Sequence, residues 1–208
     1  MLRITTCISV GFALLWACAA AFAQTDFSAE IVNLSAASNT FQTKIFSIKD
    51  KLRFQGQDKS GRTNSIMIVN LASGTSIVLM PQQHLYVQET RAQIPGQGVT
   101  FFQPKDVEDA CSEWQKMAHT EKEKCRKAGH EVVNGRDTAK YEATSAKGAI
   151  SSIWIDAELH FPVKWKGPVG AGELRNIKAG PQPADLFEIP SGYTKRTFGA
   201  AKPKASQP

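Results

Sequence analysis

The chain has 208 residues, with 25 Lys and Arg against 19 Asp and Glu, a formal net charge of +6 and a hydrophobic fraction of 42%. That length supports one domain with a substantial core. The positive excess forms no basic stripe with interleaved aromatics, which argues against nucleic-acid binding; it suits attraction to an anionic membrane surface, or plain solvation.

Met1-Leu2-Arg3 supplies a short basic start, Ile8 to Ala17 an uncharged apolar run, and Ala21-Phe22-Ala23 a small-x-small site before Gln24. This is the pattern of a secretory signal peptide over 1–23, cleaved between Ala23 and Gln24. Thr5, Thr6 and Gln24 bracket a stretch shorter than the roughly 20 residues a membrane-crossing helix needs. Leu15-Trp16-Ala17-Cys18 partly matches a bacterial lipobox, but Trp16 stands where a small or β-branched residue is usual, so cleavage is expected rather than lipidation at Cys18. Removing 1–23 leaves 185 residues carrying +5, and takes Cys7 and Cys18 with it. Cys111 and Cys125 remain, which in an oxidising compartment are most simply one disulfide. His119 and His130 lie close by, but the set lacks zinc-finger spacing, and no metal or cofactor is expected.

From Phe27 to Glu89 the chain reads as consecutive strands. Phe41 and Ile45, then Leu52 and Phe54, fall at period two around a turn at Lys49-Asp50-Lys51. Ser65 to Val69 and Ile77 to Met80 are apolar on both faces and join through Ala72-Ser73-Gly74 as a hairpin. Leu85 and Val87 alternate with Tyr86. Arg91 to Gln103, rich in Gly, Pro and Gln, reads as a mobile connection or a lid.

A helix is predicted from Pro104, with Val107, Cys111, Trp114 and Ala118 on its apolar stripe. One straight helix would hold Cys111 and Cys125 about 21 Å apart, whereas a disulfide needs Cα atoms within about 7 Å. Thr120-Glu121-Lys122-Glu123 has the capping-box pattern of a new start. The expectation is therefore a helical hairpin, 107–118 and 121–127, closed by the disulfide and stopped at Gly129. Strands then resume around Asn134-Gly135, through Ala139 to Ala143, Ser152 to Asp156, Val163 to Lys166 with Pro162 at its start, and Glu173 to Lys178 as the last. Phe198 to Pro208 reads as a disordered tail, which leaves a single domain over 24–197.

Signatures of chemistry are missing. Ser73 lacks the glycine of a nucleophile elbow, there is no HExxH, P-loop or EF-hand pattern, and Gly96-Gln97-Gly98 lacks a third glycine. Asp156 and Glu158 are the only acid pair worth weighing. No enzyme is expected. The remaining signal is apolar bulk, which either packs solidly or encloses an apolar ligand.

The order Leu79-Met80-Pro81, His84-Leu85-Tyr86, Gly129 to Arg136, Lys140-Tyr141, Trp154-Ile155-Asp156, Phe161 to Lys164 and the closing Leu186-Phe187-Glu188-Ile189-Pro190-Ser191-Gly192-Tyr193 resembles the periplasmic lipoprotein-carrier (LolA-like) superfamily and its outer-membrane lipoprotein-sorting relatives, over about Asp26 to Lys195. The resemblance implies an α+β fold: a strongly curved antiparallel sheet, an incomplete barrel, covered by helix and loops. It implies a periplasmic, non-enzymatic protein holding a lipid or lipoprotein acyl chain. Carriers of this kind hold the ligand with a basic residue and aromatic lining on early strands, for which Arg53 and Phe54 are the nearest residue types; the cysteine-linked segment departs from the family pattern. The expected pocket walls are Phe54, Met67, Val69, Ile77, Leu79, Tyr86, Trp114, Trp154 and Trp165. Period-two alternation leaves open which face is inside. The other reading is an envelope protein-interaction module with a packed interior and a protein partner.

Overall fold

The computed structural model describes residues 25–35, 42–90, 103–118, 124–168 and 170–197. The expected signal peptide with Cys18, Ala23 and Gln24, most of the Arg91–Gln103 connection and the 198–208 tail lie outside the described residues.

Six strands come first: β1 (Phe27–Asn33), β2 (Gln42–Ile48), β3 (Lys51–Gln57), β4 (Thr63–Asn70), β5 (Thr75–Met80) and β6 (Leu85–Thr90). The helix α1 (Cys111–Ala118) follows, and then β7 (Lys124–Val133), β8 (Arg136–Thr144), β9 (Ile150–Asp156), β10 (Phe161–Gly167), β11 (Gly170–Ala179) and the two-residue β12 (Thr194–Lys195). The strands make one curved, unclosed sheet in the order β12-β6-β5-β4-β3-β2-β1-β11-β10-β9-β8-β7. Two antiparallel meanders, β1–β6 and β7–β11, are thus sewn together along β1 and β11. Among the described strands only β12 runs parallel to its neighbour, β6. The curl of the sheet is visible at the β7–β8 turn, where Asn134 Nδ2 reaches across to donate to the Leu174 carbonyl of β11 at 3.4 Å.

This topology dictates the cover. β6 and β7 lie ten inter-strand steps apart, about 48 Å measured around the sheet, so the connection between them must cross a face. Its described part does so: Gln103 Nε2 donates to Ser47 Oγ on β2 at 2.9 Å, and α1 packs on β8 and β9. The opposite face of β3–β6 is covered by the chain after β11, where a 3-10 turn at Ala184–Phe187 lays Leu186, Phe187, Ile189 and Tyr193 on Ile66, Ile68, Ile77, Leu79 and Tyr86. Glu173 to Lys178 is therefore not the last strand. The Thr194 N–H donates to the His84 carbonyl (2.8 Å) and the Arg196 N–H to that of Tyr86 (2.7 Å), which adds β12 to the edge.

The hairpins expected around Lys49-Asp50, Ala72-Ser73-Gly74 and Asn134-Gly135 are present. Asn134 and Gly135 both take positive φ (51° and 78°), as the tight turn demands. The helical hairpin is not present. Residues 124–127 begin β7, with Lys124 opposite Thr144 and Cys125 opposite Ala143. An isolated seven-residue helix is short of the length that overcomes nucleation, whereas the Asn134-Gly135 turn templates a ten-residue strand. Gly129 is accordingly no helix stop but sits at the bulge in that ladder. The helix also begins later than Val107. Tyr141 Oη donates to the Val107 carbonyl at 2.7 Å, taking the acceptor that Cys111 N–H would use in a longer helix. The Ala110 N–H donates back to the same hydroxyl at 3.3 Å. The disulfide stands: Cys111 and Cys125 are bonded, Cα atoms 5.6 Å apart, joining the helix to the edge strand. No described helix is long and apolar enough to cross a membrane.

Candidate functional site

Successive strand residues point to opposite faces, so the register sorts every side chain. Directly opposed residues Ala29, Ile45, Phe54, Met67, Val78 and Val87 form a single apolar row across six strands. The row beside it runs Phe27, Ser47, Leu52, Val69, Ser76 and Glu89. Both lie on the face that Gln103 and α1 approach. Phe27, Ala29, Ile45, Leu52 and Phe54 are buried there, while Met67 and Val69 are only half-buried at the cluster's margin.

In the second meander the same face continues as Tyr141, Ile153, Trp165 and Gly172, one from each of β8 to β11. Trp165 lies flat against Gly172: a Cβ there would meet the ring at 2.4 Å and 2.7 Å. Trp114, 5% exposed, drops from α1 onto Tyr141, Ile153 and Ile155 beside the disulfide. Phe54, Met67, Val69, Trp114 and Trp165 of the expected walls therefore share one face. Ile77, Leu79 and Tyr86 occupy the other, beneath Phe187. Trp154 is also turned away from Ile153, its neighbour on β9. The ring is flanked by Lys140 Nζ (5.0 Å) and Lys164 Nζ (4.9 Å), and Nε1 donates to Glu131 Oε2 at 2.6 Å. Hydrogen bonds from Lys140 and then Trp154 hold the Glu131 carboxyl below its ordinary value.

Ala29, Ile45, Val78 and Val87 were missed. The signal that could have found them is parity: pairing Phe54 with Met67 across the β3–β4 hairpin puts Val78 on their face, and with it excludes Ile77 and Leu79.

Arg53 and Phe54, adjacent on β3, necessarily point apart. Arg53 is 8% exposed on the Phe187 side. Nη1 donates to the Leu186 carbonyl (2.6 Å) and Nη2 to Gln55 Oε1 (3.2 Å). Burial pulls its pKa down, against the pull of Tyr193 and Asp185. Among the described residues two buried side-chain atoms lack a hydrogen-bond partner, Arg53 Nε and Ser76 Oγ. The second belongs to the helix-side face.

Asp156 and Glu158 serve the β9–β10 turn. Asp156, 1% exposed, receives Arg136 together with the Glu158 and Leu159 N–H groups, both at 2.9 Å. Glu158 accepts from Arg136 Nη2 at 2.9 Å. The hydrogen bond to Asp156 is the main reason the Arg136 pKa rises. Among the described residues no three His, Cys, Asp or Glu side chains gather as a metal site.

No family model matches the chain, and no curated protein does. Solved structures similar to it include an uncharacterized conserved protein from Thermus thermophilus, at 10% identity and TM-score 0.49, covering 84% of this chain and 93% of that one. The MucA/MucB complex of Pseudomonas aeruginosa matches at 14% identity and TM-score 0.47, over 80% of this chain and 56% of the matched one. A LolA superfamily protein from Nitrosomonas europaea matches at 11% identity and TM-score 0.32, over 79% and 89%. The superfamily named from the sequence is thus among the structures this chain resembles, at values that transfer neither ligand nor partner.

Proposed function

We propose that this protein is a non-enzymatic binding protein of the periplasm that holds an apolar chain, of a lipid or a lipoprotein acyl group, on the helix-side face of β1–β6. The observation that supports this reading is the row Ala29, Ile45, Phe54, Met67, Val78 and Val87. It is apolar at every step and spans five inter-strand intervals or about 24 Å, with Ala29, Ile45, Phe54 and Val87 buried and Met67 and Val78 half-buried. An apolar row on an unclosed sheet, accessible in part at Met67 and Val78, suits an extended hydrocarbon chain. Export is supported by the pattern over 1–23 and by a disulfide of the kind that persists outside the cytoplasm. The test is native mass spectrometry of the protein purified without detergent from its own periplasm. Extra mass, released on denaturation and identified as lipid, is expected. A bare cleaved chain, two hydrogens light for the disulfide, would overturn the carrier reading.

The bare mass would favour the interaction module. One feature supports that second reading: β7 is a ten-residue strand at the edge of the sheet formed by the described residues, a position suited to strand addition by a partner. Its charges and its bulge are also the devices that guard free edges, which ranks it behind the first. Cross-linking in cells through β7 checks it, a discrete adduct being the expected result for a protein partner.

A further inference from the structure

The helix-side face of β1–β6 also carries information about the head of the chain it would hold. Ser76 on β5 is 3% exposed, and its Oγ has no hydrogen-bond partner among the described residues. A buried hydroxyl without a partner is unfavourable by itself, so it marks a place where an acceptor is wanted. Its register neighbours are Val69 on one side and Glu89 on the other, both half-buried. The apolar row of Met67 and Val78 runs alongside on the same face, two residues along each strand.

Charge narrows the acceptor. Among the described residues, those that β1–β6 present to this face are aliphatic, aromatic, hydroxyl or amide, with Glu89 as the single charge. Lys44, Lys51 and Arg53 all fall on the other face by register. A free carboxylate or a phosphate placed at Ser76 would meet no cation from these strands, and would stand beside the Glu89 carboxylate in a poorly solvated setting. A neutral carbonyl has no such conflict. We propose that the ligand is a neutral acyl ester or amide, its chain along the Phe54–Met67–Val78 row and its carbonyl oxygen accepting a hydrogen bond from Ser76 Oγ. The inference rests on the apolar-chain reading above and adds the class of head group.

The experiment titrates the cleaved chain at pH 7.5 with methyl dodecanoate and, separately, with dodecanoate. The emission of its tryptophans is the readout, Trp165 being half-buried on this face. The ester is expected to bind about ten-fold more tightly than the carboxylate. Ser76→Ala should weaken the ester about five-fold, the worth of one neutral hydrogen bond, and leave the carboxylate unchanged. It should not lower the denaturation midpoint, since it removes a hydroxyl that nothing satisfies. Glu89→Gln should raise carboxylate affinity several-fold. Equal affinities for the two ligands, or an ester affinity indifferent to Ser76→Ala, would overturn the head-group assignment while leaving the apolar-chain reading intact. Binding of neither ligand would overturn both.

Discussion

The two meanders present the same face to the interior but cover it by different means. On β7–β11 the face is sealed by a helix held at two points: Trp114 is packed into the sheet, and the Cys111–Cys125 bond ties α1 to the edge strand. On β1–β6 the described contact from the crossing segment is polar, Gln103 to the fully buried Ser47, and Met67, Val69 and Val78 stay half-buried. The first meander is packed on both faces: Phe27, Ile45, Leu52 and Phe54 are buried on this one, and Ile66, Ile68 and Leu79 on its reverse, beneath Phe187. The division is between a half sealed by a covalent bond and a half whose described tie to the crossing segment is a hydrogen bond.

The strongest test of that division removes the seal. Closing a loop of about 15 residues stabilises by about 3 kcal/mol in the chain-entropy account, so Cys111→Ala with Cys125→Ala should lower stability by about that amount in urea unfolding. The local readout matters more. Hydrogen exchange should quicken in α1 and β7–β9 and stay unchanged in β3–β5. Uniform acceleration across all strands would mean that the two meanders are one cooperative unit, and the comparison would fail.

A smaller effect is expected at the seam between them. Gly172 on β11 faces Trp165 on β10, and an added Cβ would overlap that ring while lying 3.0 Å from the Val32 carbonyl. Gly172→Ala should therefore cost about 1–3 kcal/mol, as overpacking in a fixed core does, with a shift in tryptophan emission as the ring is displaced. In the Trp165→Phe background the penalty should shrink. An undiminished penalty would place the strain on the β1 backbone rather than on the ring.

Much of this fold was legible because strands and turns are local. Lys49-Asp50, Ala72-Ser73-Gly74 and Asn134-Gly135 each fix a hairpin with residues that few other conformations want, and Cys111 and Cys125 are bonded as expected. The errors fell where a distant group decided. Val107 has helical spacing from Cys111, but Tyr141, far along the chain on β8, takes its carbonyl. Thr120 to Glu123 has a capping box, yet Lys124 onward finds its partners in β8. In the candidate site, Ile77-Val78-Leu79-Met80 is apolar throughout, so nothing within it says which pair faces the helix side; only the cross-strand register with Met67 does. Trp154 shows the same dependence on distant groups. It is 6% exposed and belongs to the core cluster that also holds Phe54, while two lysines and a glutamate from β7, β8 and β10 border it.

That last cluster supplies the smallest expected effect, and one confined to the sealed half. The Glu131 carboxyl is held below its ordinary range by Lys140 and Trp154. A carboxyl whose folded pKa is depressed contributes stability that is fully present above its unfolded value, about 4.3, and is lost as pH falls through the folded value. The Trp154 indole N–H resonance should therefore shift with a midpoint below about 4.3. Glu131→Gln should abolish that shift and flatten the acid limb of the stability profile slightly, the pair being exposed and screened. Resonances of Trp165, across the sheet, should not follow the titration. A midpoint at or above about 4.3 would mean that Glu131 is not anchored to the ring, and that the lysines alone order this surface.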